Sequence, residues 1–478
     1  MIENITKTLA DFTAQTSFED LPDNVVHETK RILLDSIGCA VGANSVEKGK
    51  IVVKVARDLG GKAEATVLGS GDQVSAATAA YANGELINTL DFDNILCPGH
   101  VSPYVIPTPL AMAERHKASG KTLIVALALA HEVGARVGIS LAQLRGKGGL
   151  PSRAVGNGGC VFGAAAGASK VLGFDPDKTA SAFGIAGVLA PVPYMTKWAH
   201  TAKRSSLKYT PAGWTAQTGV MAGLLTQQGM VGDTTILDGE YGFWAMHGTE
   251  PENYKPERTL HKLGQEWLIL TTEYKSWPCV RPLNSSLDAF TKVIEEHNIK
   301  PEEIEKVVIR GEAHFTLPAW ANPEVKSGVD AQFVAPYCVA VAAHRVKVGP
   351  QWQQESTLAD PGIRRFMDKV KWEHYPKCDE MRDKDLIEEG RAYIVRRPAR
   401  AEVQARGKTF VGEVDYARWT PVDVEGIYAT DEVLAEKLRD NARDILPRDK
   451  VERLIEATLA LERLEDTTEL TKLASAKT

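Results

Sequence analysis

Asn88-Thr-Leu-Asp91-Phe-Asp93-Asn94-Ile-Leu-Cys97-Pro-Gly-His100-Val-Ser-Pro-Tyr-Val-Ile-Pro107 gathers two carboxylates, an amide and an imidazole between positions 91 and 100. The alanine-rich residues 75–90 before it carry a helical pattern, and a second helical run opens near Pro107. Pro98-Gly99 ends any helix between them, so Asp91 and His100 can face one another across a loop. Proton-transfer groups are commonly carried on such a loop between rigid helices. The segment alone serves equally well as two turn carboxylates and a turn histidine satisfied by backbone carbonyls.

More specific rivals do worse. Counted from Asp91, an EF-hand loop would need Gly and Glu where Leu96 and Ser102 stand. A phosphatase-type Asp-x-Asp follows a buried strand, whereas helix precedes Asp91. No His-Glu-x-x-His occurs in the chain, and no metal site is apparent.

Outward from this loop, residues 2–42 read as two helices, the second starting at Leu21-Pro22-Asp23. A short strand is expected over 65–69, ahead of the Ser70-Gly71-Asp72 turn. Residues 75–246 are overwhelmingly helical in pattern, with small residues at helical spacing over 163–170 and 180–189 that let helices approach closely. Gly156-Asn-Gly-Gly-Cys160 lacks both a preceding strand and a following Gly-Lys-Ser/Thr, so it reads as a turn feeding a helix, not a phosphate loop. Glu132 and Arg136, four apart on a helix over 123–138, form an intrahelical pair. Residues 197–208 hold four cations and a histidine: either a solvated face or the place where an anionic substrate goes.

The pattern changes near residue 277. A helix over 285–297, a strand over 306–310, a long helix over 331–346 and a hairpin around Gly407 make a smaller α/β unit. Residues 430–474 are helical again, which suggests a return to the first domain. The expected fold is therefore mainly α: a discontinuous all-helical domain, 1–276 and 420–478, with an α/β lid over 277–419 inserted before the C-terminal helices.

With 44% apolar and 25% charged residues and a net charge of −6, the chain has no basic stripe, and nucleic acid is an unexpected partner. Six scattered cysteines without a Cys-x-x-Cys pair suggest free thiols in a reducing compartment. The acidic N-terminus lacks a signal-peptide pattern, and runs such as 123–130 are too short to span a bilayer. The expectation is a cytoplasmic protein without a membrane partner.

The chain resembles the MmgE/PrpD family, which includes 2-methylcitrate dehydratase, cis-aconitate decarboxylase and iminodisuccinate epimerase. The likeness runs nearly end to end. It is carried by Leu90-Asp-Phe-Asp93 with Gly99-His100 and Val105-Ile-Pro107, Ala118-Ser-Gly120, and Glu132-Val-x-x-Arg136-x-Gly138. Phe162-Gly-Ala-Ala-Ala with Lys170-Val-Leu-Gly173, Lys208 five residues before Gly213, Lys275-x-x-Pro278, and Asp330-Ala-Gln-Phe with Pro336-Tyr337 complete it. The resemblance implies a helical domain plus a lid, usually a homodimer, with the active site in the cleft. It points to Asp91, His100, Lys208 and Lys275 as catalytic, with no cofactor.

Asp93, Asn94, Arg153 and Arg281 are the candidate substrate-binding residues. The sequence departs from the family pattern at Ala154 and Asn284, where relatives often have histidine, at Asn94-Ile95, and at Thr210-Pro211. The implied chemistry is proton movement beside a carboxylate of a small di- or tricarboxylate. His100 and Asp91 would serve as the acid–base pair, with the two lysines neutralising substrate charge. A 2-methylcitrate-dehydratase-like hydro-lyase is expected first. The alternatives are an epimerase or a decarboxylase, and behind them a noncatalytic carboxylate-binding protein.

Overall fold

The computed structural model describes residues 4–141, 156–192, 194–249, 253–391 and 393–477. The first two helices, α1 (Ile5–Gln15) and α2 (Asp23–Ala43), stand where the periodicity puts them. Nearly every residue of α2 from Glu28 onward is buried, because other helices cover it on all sides. α3 (Glu47–Leu59) follows, then β1 (Ala65–Thr66), paired antiparallel with β2 (Gln73–Val74). α4 (Ala76–Thr89) starts at Ser75, whose side chain accepts from the Thr78 N–H as an N-cap.

Small residues bring the helices of this half close together. A Cβ at Gly163 would lie 2.2 Å from the Ala130 carbonyl oxygen, so helix Cys160–Val171 can cross helix Gly120–Ile139 only with glycine there. Helix Gly120–Ile139 is long and apolar enough by length and composition to cross a membrane, more than the run over 123–130 indicates by itself. It is almost wholly buried inside the fold, as a central core helix. Helix Asp431–Ala442 packs on α2, with Leu438 against Gly38, and Leu434, Leu438 and Leu454 join one apolar cluster with Leu33 and Leu86.

Residues 304–414 hold a four-stranded mixed sheet in the order β4 (Val370–His374), β3 (Ile304–Gly311), β5 (Ala399–Ala405), β6 (Lys408–Val414). β3 is parallel to β4 and antiparallel to β5. Along β5, Ala399, Ala401, Val403 and Ala405 face the core while the intervening side chains face out. The β5–β6 turn is Arg406-Gly407, both at positive φ (54° and 66°), the two-residue geometry that suits strand twist. Strand β4 has no counterpart in the sequence reading: it is a five-residue edge strand, half exposed, with too little alternation to stand out.

The long helix expected over 331–346 is two helices, Gly328–Phe333 and Ala335–Ala343. Pro336 has no N–H to give the Gln332 carbonyl, which takes the Val280 N–H instead.

One stretch ties the two halves together. Trp198, on the short helix Met195–Ala199, lies edge-on to Tyr209, Trp320 and Phe333, inside the apolar cluster of the C-terminal half. Arg204 fastens the same stretch by donating to the carbonyls of Ala319, Glu324 and Asn322 and to Asp330 Oδ1. Of the basic run over 197–208, Arg204 is therefore a structural clamp with its side chain buried, Lys197 and Lys203 are exposed, and Lys208 turns inward to Asp91.

Candidate active site

The site is built on the C-terminal end of α4. The last carbonyls of a helix have no partner within it and carry the negative end of its dipole, so donors and cations gather there. Here they come from distant parts of the chain. Lys208 Nζ donates to the Asn88 oxygen at 2.8 Å and Gln332 Nε2 to the Thr89 oxygen at 2.7 Å. Gln353 Nε2 donates to the Leu90 oxygen at 2.7 Å, and Lys275 Nζ to the Asp91 oxygen at 2.8 Å. Lys437 Nζ takes the Phe92 oxygen at 2.7 Å. One helix end thus gathers the 208 stretch, the stretch at Lys275, two elements of the C-terminal half and a C-terminal helix.

Asp91 occupies the turn after α4 at φ 52°, a left-handed conformation usually left to glycine that aspartate tolerates. Its fully buried carboxylate is shared by two lysines: Lys208 Nζ lies 2.7 Å from Oδ1 and Lys275 Nζ 2.8 Å from Oδ2. Burial alone would raise the Asp91 pKa, but the two lysine charges overcome it and hold the carboxyl well below the ordinary range. Lys208 receives only a share of that one carboxylate, and burial lowers it to about 8.

Immediately after a tight turn, in which Leu96 and Gly99 exchange backbone hydrogen bonds, His100 faces this cluster. Its Nδ1 lies 2.7 Å from Asp93 Oδ2. Asp93 is fully buried, and despite that burial the neighbouring imidazole lowers its pKa, so it is a carboxylate that accepts the Nδ1–H. Nε2 then carries the lone pair. The Tyr209 hydroxyl sits 3.1 Å from Nε2 and 2.9 Å from Asp91 Oδ1, and its ring stacks on the imidazole. Burial, then the Asp91 charge, raises the Tyr209 pKa well above the ordinary value and keeps the phenol neutral. The result is a connected path, Lys208–Asp91–Tyr209–His100–Asp93, with the imidazole oriented as a general acid or base.

The structure brings Asp91, His100, Lys208 and Lys275 into one cluster, with His100 Nε2 3.6 Å from Asp91 Oδ1. The other assigned residues have these partners. Asp93 orients His100 through the 2.7 Å contact to Nδ1. Asn94 is fully buried and spends its amide on Asp35 Oδ2 and the Ser102 hydroxyl. Arg281 is consumed by Glu273, the Tyr274 carbonyl and the Thr420 hydroxyl. Both look like free polar groups in the sequence because their partners lie elsewhere in the chain. Arg153 and Ala154 lie outside the described residues. Asn284 is buried at the foot of helix Arg281–Glu296, accepting from the Trp277 N–H. Glu132 and Arg136 form the expected pair at 2.6 Å, and Arg136 also anchors the carbonyls of His261 and Glu266.

Sequence reading missed Tyr209, although it adjoins Lys208, and missed Gln332 and Gln353, of which only the first falls in a quoted motif. Among the described residues no group of three His, Cys, Asp or Glu side chains is arranged to hold a metal ion.

Comparison with known proteins adds a family and relatives. The model of the MmgE/PrpD N-terminal domain matches residues 7–255, and that of the MmgE/PrpD C-terminal domain matches residues 277–463. The chain is 26% identical over 516 residues to a protein of Aspergillus oryzae named cis-aconitate decarboxylase-like protein oryM, covering 99% of this chain and 98% of that one. It is 27% identical to the cis-aconitate decarboxylase of Mus musculus and 28% identical to that of Homo sapiens, each over 495 residues and 99% of this chain, and over 94% and 95% of those proteins.

Proposed function

This chain belongs to the MmgE/PrpD family, and from that premise we propose that it is a lyase moving a proton at a carbon beside a carboxylate of a small tricarboxylate or dicarboxylate. The observation that carries the reading is the His100 imidazole, held at Nδ1 by Asp93 with Nε2 turned toward Tyr209 and the lysine-clamped Asp91. Asp91 cannot itself be the neutral-pH acid, because its carboxyl stays ionised. His100 is therefore the proton carrier, and Asp91 fixes the two lysines and Tyr209 around it.

Decarboxylation now stands ahead of the dehydration expected from the sequence. The relatives matched over almost the full chain carry that name. The bond to the departing CO2 breaks, its electron pair spreads toward a neighbouring carboxylate, and His100, which takes up a proton from water at Nε2 before this step, returns that proton to carbon. One oriented acid suffices for that step. Two lysines around the one Asp91 carboxylate leave a surplus positive charge, and that charge stabilises the developing anion.

Dehydration remains the second reading, favoured by one observation: Lys208, lowered to about 8, is an acid of the right strength to protonate a leaving hydroxyl. Two assays run side by side separate them. Release of CO2 from cis-aconitate without a hydroxylated substrate supports decarboxylation. A new ultraviolet-absorbing conjugated alkene from methylcitrate, without CO2, supports the hydro-lyase and overturns the first reading. We also propose a homodimer, for which α3 offers an exposed apolar stripe of Ile51, Val55 and Leu59.

A further inference from the structure

The two lysines expected to clamp the substrate are spent on Asp91, so a substrate carboxylate needs a donor elsewhere beside His100. Asn157 has the position for it. It lies in the single turn Gly156–Gly159 that leads into helix Cys160–Val171, and it is 4% exposed. Its amide packs against Gly99, the residue before His100: a Cβ there would come within 3.0 Å of Asn157 Oδ1. On its other side Asn157 Nδ2 reaches the Tyr104 hydroxyl at 3.4 Å, which reaches the Thr210 carbonyl at 3.4 Å, one residue past Tyr209. The amide therefore joins the backbone on both sides of the His100–Tyr209 pair.

Its hydrogen-bonding capacity is almost unspent. Oδ1 is buried without a partner, and the single Nδ2 contact is long. Buried amides in folded proteins are nearly always satisfied, so such a group waits for a partner that the protein does not supply. A half-turn about the last side-chain bond exchanges oxygen and nitrogen. It would let Oδ1 accept from the Tyr104 hydroxyl, whose one hydrogen turns to it from the Thr210 carbonyl, and place the NH2 in the unpartnered position.

We propose that Asn157 is a substrate-binding residue, its amide N–H donating to a carboxylate oxygen of the substrate beside His100. This rests on the reading of the site as one for carboxylates. The test is calorimetric titration of the full-length protein with propane-1,2,3-tricarboxylate, for wild type, Asn157→Ala and Asn157→Asp, with the thermal midpoint of each. Loss of a hydrogen bond to a charged group weakens binding about ten- to hundredfold in Asn157→Ala. Asn157→Asp keeps the shape but opposes the anion, so it binds more weakly still. A packing role would give the opposite order, with the aspartate variant close to wild type.

Binding within twofold of wild type in both variants overturns the inference alone. A wild type that takes up none of the probe overturns the carboxylate reading and this inference with it. Should neither variant fold, Gly99→Ala is the second perturbation. Its methyl presses on the Asn157 amide, so weakened binding of the same probe supports the inference and unchanged binding overturns it.

Discussion

Replacing Asp91 by asparagine removes one charge and little else. Asparagine tolerates φ 52° as aspartate does, so the backbone is not strained anew. What changes is the partner of two buried lysines, at 2.7 and 2.8 Å. At an effective dielectric near 20, each such pair carries roughly 6 kcal/mol of direct attraction. Desolvation offsets much of it, and breaking a buried pair by removing one partner costs about 3–5 kcal/mol net.

At about 2 °C per kcal/mol for a large domain, the thermal midpoint of Asp91→Asn falls by roughly 6–10 °C in calorimetry. Lys275→Met in the Asp91→Asn background removes one of the two stranded charges. It should recover at least about 1 kcal/mol relative to Asp91→Asn alone, read as a coupling energy in the double-mutant cycle. Strictly additive effects of the two substitutions, or an Asp91→Asn midpoint equal to wild type, would refute the shared clamp. The clamp also has a pH signature. A carboxyl whose folded pKa is depressed adds stability above its unfolded value and loses it only as pH falls through the folded one. Here that lies well below 3.8, so Asp91 keeps contributing in mild acid.

Lys208 is lowered from 10.5 to about 8. Between these values the unfolded chain binds the proton and the folded one does not, so this group's contribution to stability rises with pH across that window. Turnover should fall about tenfold per pH unit above pH 8, and Lys208→Arg should move that limb upward; a flat profile to pH 10 counts against a role for the Lys208 charge. Glu132→Gln leaves Arg136 buried without its partner and should lower the thermal midpoint through a loss of about 3–5 kcal/mol. The folded fraction should keep wild-type turnover, because neither residue touches the His100 loop. Light scattering should give a mass near twice 52.0 kDa, with Val55→Glu shifting it toward the monomer; a wild-type mass of 52.0 kDa counts against the dimer.

Much of the arrangement is legible in local chemistry. Ser75 and the alanines after it mark α4, and Pro98-Gly99 marks the turn that lets His100 come back to within 3.6 Å of Asp91. The hairpin at Arg406-Gly407 is equally local. What the sequence hides is partnership across long separations. Lys208 and Lys275 read as cations available to a substrate, yet they lie 117 and 184 residues from the carboxylate that takes them. Asn94 and Arg281 read as pocket groups because Asp35 and Thr420, two of the partners that hold them, lie 59 and 139 residues away. Gln332 and Gln353 carry no charge, and Gln353 falls in no quoted motif, although they cap α4 from 243 and 263 residues away. Asn157 sits in a glycine-rich turn whose only local message is backbone freedom.

The most direct measurement is proton NMR in deuterated water with cis-aconitate, methylcitrate and iminodisuccinate, comparing wild type with His100→Gln. Wild type should place one deuterium on a carbon beside a carboxylate in the product, and His100→Gln should leave the substrate unlabelled and unconverted. Labelled product at the wild-type rate from His100→Gln would contradict His100 as the proton carrier.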